Sequence, residues 1–119
     1  MILRTSLSPE LDAELVAFHG ELDAASAPDL TARLDEVVAI AQGALVIDLC
    51  DCHFIDSLGI AVVVRASKDM RDQGRPVAVA ASSSQVRRVL SLTGADELLS
   101  VHWSRADAIG WLAEERRAG

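Results

Sequence analysis

The segment from Val46 to Val64, VIDLCDCHFIDSLGIAVVV, gathers most of the side chains able to do chemistry. Cys50, Cys52 and His53 raise zinc. Asp48, Asp51 and Asp56 raise acid chemistry, and Ser57 raises a nucleophile or a modified hydroxyl. Geometry weighs against zinc: in an extended chain residues 50 and 52 point to one face and 53 to the other. Three such ligands close a tetrahedron only across a sharp bend, and a fourth from His19 or His102 must come from another strand. Cysteine also packs readily as a small hydrophobe, so no metal site is expected. A disulfide within the Cys-x-Cys is opposed by an extended spacing of about 7 Å. A serine hydrolase is disfavoured because IDSLG lacks the leading glycine of a nucleophile elbow, and His53 lies on the incoming side. No phosphate-binding G-x-x-x-x-G-K-[ST] loop occurs. A phosphoaspartate receiver would use Asp48 or Asp51, but it also needs a lysine near the end of a late strand. The only lysine, Lys68, falls within the central helical segment.

Ser57 is the most informative residue left. The spacing places it at the start of a helix running from Ser57 to Gly74, where free backbone N–H groups and the helix dipole favour an anion. A phosphoryl group there would add about −1.5 to −2 charges beside Asp56 and near Asp23. The plainer reading makes Ser57 an N-cap and Asp56 a turn residue. Gly59 counts for more than that, because glycine in a first turn costs about 1 kcal/mol against alanine and is easiest to explain if something approaches the backbone closely.

The elements that must carry these residues alternate. ILRTSL and ELVAFHGEL read as two strands of a hairpin turning at Pro9. Ser26, as cap with Asp29 three residues on, starts a helix whose apolar face is Leu30, Leu34, Val37, Val38 and Ala41. ALVIDL and PVAVAA read as strands buried on both faces. The β-branched IAVVV between them is assigned to helix, since a parallel pair needs a crossover of about a dozen residues or more, and its first two turns should be buried almost all round. Ser83 or Ser84 caps QVRRVLSLTG, LLSVHW is a last short strand, and Ser104 with Asp107 caps the closing helix. Gly43, Gly74 and Gly94 read as left-handed helix stops. The order β-β-α-β-α-β-α-β-α makes a single α/β domain over 1–119: an N-terminal hairpin, then β-α units, in a mostly parallel mixed sheet with packed helices. The loops ELDAASAP, CDCHFIDS and ASSS should meet at one edge of it.

Half of the 119 residues are hydrophobic, enough for one core, and the formal net charge is −7. That balance disfavours nucleic acid and anionic membranes, both of which select a basic face, and suits a protein partner. Two cysteines supply no disulfide framework, and the N-terminus reads as neither signal peptide nor anchor, so a cytoplasmic protein is expected.

GELDAASAPDL followed by VIDLCDCHFIDSLGIAVVVRASKDMRDQG resembles the STAS domain, specifically the stand-alone bacterial anti-anti-sigma factors (anti-sigma factor antagonists). The resemblance extends through LSLTGADELLSVHWSRADAI and rests on G-E-L-D and F-x-D-S-x-G-I. It implies a regulatory binding module, without enzymatic activity or cofactor, with helices largely on one sheet face. Its partner would be an anti-sigma factor that is also a serine kinase, captured while Ser57 is unphosphorylated so that a sigma factor is released; a PP2C-type phosphatase would remove the phosphate. Ser57 is then the phosphoacceptor, Asp56 orients its hydroxyl or contacts the kinase, and Asp23 lines the same site. Glu21, Leu58, Gly59 and Ser83 complete the implied partner-binding set. Leu58 is bulky at a variable position where a small residue is frequent, which implies an altered partner fit. Two other readings stand beside this one: a non-switching STAS scaffold, such as a lipid-transport ATPase subunit or part of a signalling assembly, and an acidic nucleotide site without a catalytic motif.

Overall fold

The structure, a computed structural model, describes residues 1–7, 10–40 and 42–118. The expected turn at Pro9 and the helix-face position Ala41 lie outside the described residues. Strand β1 (Ile2–Ser6) pairs antiparallel with β2 (Ala13–Phe18), in a register running from Ile2 opposite Phe18 to Ser6 opposite Glu14. β4 (Ala44–Asp48), β6 (Val77–Ala80) and β7 (Val101–His102) join in parallel, giving the order β1-β2-β4-β6-β7.

Two expectations about the strands are corrected. ELVAFHGEL is not one strand: it breaks at His19, and Gly20, at φ 116°, turns the chain away from the main sheet. The residues beyond form β3 (Gly20–Leu22), which pairs in parallel with β5 (Cys52–Ile55) as a separate two-stranded ribbon. β5 falls inside the segment read as the loop CDCHFIDS. Its ends Cys52 and Ile55 are buried while His53 and Phe54 are exposed, so it carries no period-2 signal.

In β2, β4 and β6 alternate residues face opposite cores, as the pleat requires. Val16, Phe18, Leu45, Ile47, Val77 and Val79 face the larger core, under α1 (Ala27–Ile40), α2 (Ser57–Asp72) and α3 (Ser84–Leu92). Leu15, Ala17, Val46, Ala78 and Ala80 face the opposite side, where Ala108 and Leu112 of α5 (Arg105–Ala118) close over them. The short α4 (Ala95–Leu98), which the sequence did not announce, follows α3.

Leu30, Leu34 and Val37 of α1 are buried, as their spacing predicts. IAVVV is helical, with Ile60, Val63, Ala66 and Met70 buried at helical spacing. Its first two turns are not buried all round, however, because Leu58 and Ala61 face solvent. Gly74 (φ 70°) and Gly94 (φ 77°) are left-handed stops. Gly43 is not: a Cβ there would stand 1.8 Å from the Asp12 carbonyl oxygen, so close approach, not handedness, requires glycine. The end of α1 is instead satisfied by Arg75, a largely buried guanidinium donating to the carbonyls of Val38 at 2.8 Å and Gly43 at 2.9 Å.

Candidate functional site

The β3–β5 ribbon sets the site. Leu22 and Ile55 are paired in register, and the Asp56 N–H donates to the Leu22 carbonyl at 3.1 Å. Asp23 and Asp56, each one residue further on, therefore leave the ribbon side by side. Asp23 organises its own loop: one carboxylate oxygen accepts from the N–H groups of Ala25 (3.0 Å) and Ser26 (3.2 Å). Ser26 turns its hydroxyl back into that loop, donating to the Glu21 carbonyl at 2.7 Å and accepting from the Asp23 N–H at 3.1 Å. It does not cap α1 with its side chain, contrary to the sequence reading, because its hydroxyl is engaged in the turn.

The start of α2 is also reassigned. Asp56 is the N-cap, in extended backbone, with its carboxylate accepting from the Gly59 N–H at 3.0 Å. Ser57 is the first helical residue. It is exposed, its hydroxyl makes no hydrogen bond among the described residues, and the Ser57 and Leu58 N–H groups likewise have no acceptor there. A free hydroxyl thus stands over unpaired N–H groups at the positive end of a four-turn helix. Gly59 is buried, and a Cβ on it would meet Leu22 Cγ at 2.7 Å and the Leu22 carbonyl at 2.8 Å. What approaches this backbone closely is β3 itself, which locks the helix start to the ribbon.

Around Ser57 the surface is acidic and apolar together. Glu21 is exposed on β3 opposite Phe54 of β5. Phe54 is 41% exposed and Leu58 52%, large apolar side chains three residues before Ser57 and one after it. Leu58 also forms one wall of a groove of about 570 Å³ between α1 and α2. Phe54 and the groove were both missed from the sequence; the outward turn of two consecutive β5 residues is visible only once the ribbon is known.

Ser83 opens α3. It caps α3, accepting from the Val86 N–H at 3.4 Å, while α3 packs against β5. The neighbouring Ser82 hydroxyl donates to the Cys50 carbonyl at 3.2 Å, tying this loop to the turn after β4. Ser83 and Ser57 share no hydrogen bond. At that turn Asp48, only 1% exposed, accepts from the Cys50 N–H at 2.9 Å and from Arg105 at 2.6 Å. The pair holds the Arg105 guanidinium above its ordinary pKa. Burial, and then Asp48, push the Cys50 thiol up, and burial does the same to Cys52, so both are protonated at neutral pH and poor ligands or nucleophiles. The Cys52 thiol donates to the Phe54 carbonyl at 3.1 Å while His53 points to solvent. Among the described residues no three His, Cys, Asp or Glu side chains converge as a metal site, and no helix is long and apolar enough to cross a membrane.

Comparison with known proteins agrees with this geometry. Residues 10–108 match the STAS domain. The anti-sigma-F factor antagonist RsfB of Mycobacterium tuberculosis is 32% identical over 95 residues, covering 80% of this chain and 77% of that protein. The anti-sigma-B factor antagonist of Listeria monocytogenes is 30% identical over 83 residues, covering 69% and 72%. The crystal structure of an anti-sigma factor antagonist from Mycobacterium paratuberculosis superposes with a TM-score of 0.87 at 26% identity, over 95% of this chain and 93% of that one. The family match over most of the chain, together with a relative 32% identical over 80% of it, shows that the chain belongs to the STAS domain family.

Proposed function

We propose that this protein is an anti-sigma factor antagonist switched by phosphorylation of Ser57. The observation that carries the reading is the Ser57 hydroxyl, unpartnered among the described residues and exposed at the first position of α2, with the exposed Leu58 next to it in the chain. Unphosphorylated, this acidic and apolar surface binds an anti-sigma factor with serine kinase activity, and the sigma factor is released. Phosphorylated, it carries about −1.5 to −2 further charges beside Asp56, Asp23 and Glu21, and the same surface no longer accepts desolvation by the partner. The unpaired first-turn N–H groups make the added anion compatible with the fold, so the change is one of surface and not of folding. A PP2C-type phosphatase resets the hydroxyl. In this reading Asp23 and Asp56 hold the two loops, Gly59 fixes their spacing, Glu21 and Leu58 face the partner, and Ser83 contributes through the placement of α3 against β5. The protein acts by binding and needs no catalytic group of its own.

The test is incubation with the cognate kinase and ATP, followed by mass spectrometry. A phosphoryl group is expected on Ser57 and is lost in Ser57→Ala. Ser57→Glu should bind the partner at least tenfold more weakly, about 1.4 kcal/mol or more. An unmodified Ser57, or a glutamate variant that binds as wild type does, overturns the proposal. Affinity purification that recovers a transport ATPase in place of a kinase would establish the scaffold reading instead.

A further inference from the structure

The α1–α2 groove has a composition that the switch alone does not require. Its floor is made by the buried Leu34, Ala27 and Ala66, and its walls by Ala24 and Pro28 on one side and Leu58, Ala61 and Val62 on the other. Only two charged side chains reach it, Asp35 and Arg65. Arg65 is 4.0 Å from Asp69, one turn along α2, whereas Asp35 makes no ion pair among the described residues. The groove is therefore apolar toward Leu58, while Asp35 and Arg65 stand at the far ends of its two lining segments.

We infer that this groove is a docking site for an amphipathic helix of the same anti-sigma factor, seated with an apolar residue against Leu58 and a lysine or arginine against Asp35. The inference rests on the reading of Ser57 as the switch and adds the partner's chemistry and orientation to it. Shape argues for a helix. The lining residues run from 27 to 35 on α1 and from 58 to 66 on α2, about 12 Å on either side, or two turns of an occupant presenting residues at i, i+3 or i+4, and i+7. An extended segment would need strand-edge hydrogen bonds or, as a polyproline helix, an aromatic-lined groove, whereas both walls here are helices and no aromatic side chain lines them. Charge argues for the direction. A cation at the Asp35 end meets an unpaired carboxylate. A cation at the Leu58 end would attract phosphorylated Ser57 and reverse the switch. An apolar residue there leaves the phosphoryl group with no partner, so a single modification at the groove mouth is felt by everything bound along it.

The test measures binding of the full chain to the anti-sigma factor that phosphorylates Ser57, by titration without ATP. Ala61→Arg fills the groove from an exposed position and is expected to weaken binding at least tenfold. Asp35→Lys should weaken it about tenfold at low salt and less at high salt, as screening requires. Arg88→Glu, a charge reversal on α3 outside the groove, should stay within twofold. Unchanged thermal midpoints establish that the variants are folded. If Ser57→Glu loses binding while Ala61→Arg and Asp35→Lys stay within twofold, the groove inference is overturned and the switch survives. If no anti-sigma factor binds the wild-type chain, the switch reading falls and this inference falls with it. A wild-type chain that sediments as a dimer and becomes monomeric on Ala61→Arg would make the groove a contact between copies, which also overturns it.

Discussion

At the scale of single residues, Asp56 and Gly59 do the structural part of what the sequence assigned to Ser57. Because Asp56 caps α2 through the Gly59 N–H, Asp56→Ala should cost about 1 kcal/mol in a denaturant titration, within the usual range for a lost N-cap. The Ser57 hydroxyl is not part of that cap, so Ser57→Ala should leave the midpoint nearly unchanged. Gly59→Ala separates propensity from packing. Alanine gains about 1 kcal/mol as a helix former, yet its Cβ would press on Leu22 at 2.7 Å, and overpacking of that kind costs about 1–3 kcal/mol. Net destabilisation is expected, whereas at the exposed position 58 alanine should be more stable than glycine by about 1 kcal/mol, the propensity alone. The motif D-S-x-G was legible in the sequence, but which residue caps and which is free depended on a backbone turn with no signature of its own.

Among the elements, the helices were the more legible. Leu30, Leu34 and Val37 announce α1 by spacing alone, and the need for a crossover identified α2 in spite of its β-branched run. The ribbon was hidden because β3 has three residues and continues an apolar run, while β5 exposes two neighbouring side chains. Short strands make too few turns of their period to declare it. Arg75 was equally hidden, since nothing local reveals that a guanidinium after α2 ends α1. Desolvation holds it below its ordinary pKa, although still charged at neutral pH, and its hydrogen bonds are correspondingly costly to lose. Arg75→Met should destabilise by about 2 kcal/mol and raise amide exchange in the last turn of α1 and the strand after it, with less effect on α3.

For the whole molecule, the decisive join is between α5 and the carboxyl ends of the strands. Asp48 stood out in the sequence as a possible phosphoacceptor; buried against Arg105, it anchors the closing helix across 57 residues of chain. Arg105→Ala should cost roughly 1–3 kcal/mol, the penalty of leaving a buried acceptor short of partners. His102 lies on the same seam, its Nε2 2.9 Å from the Ser100 hydroxyl and its ring 5.5 Å from that of Trp111. Burial holds its imidazole below the ordinary 6.5, with Asp107 opposing and Arg87 assisting. The folded protein takes up this proton less readily than the unfolded chain. Its contribution to stability is therefore complete above the unfolded pKa and is lost as pH falls through the folded value. Wild type should lose more stability between about pH 7 and pH 5 than His102→Gln does, by chemical denaturation at each pH. The same seam also bears on synthesis. When a ribosome has delivered every strand through His102, Leu15, Val46, Ala78 and Ala80 still present an apolar sheet face, packed by Leu7, Leu11 and Cys50 but not yet closed over by α5. The β3–β5 ribbon and the start of α2 at Ser57 are by then long complete. A nascent or truncated chain would therefore carry the D-S-x-G helix start complete while remaining a target for chaperones and proteases, and emergence of α5 is the step that makes the fold durable.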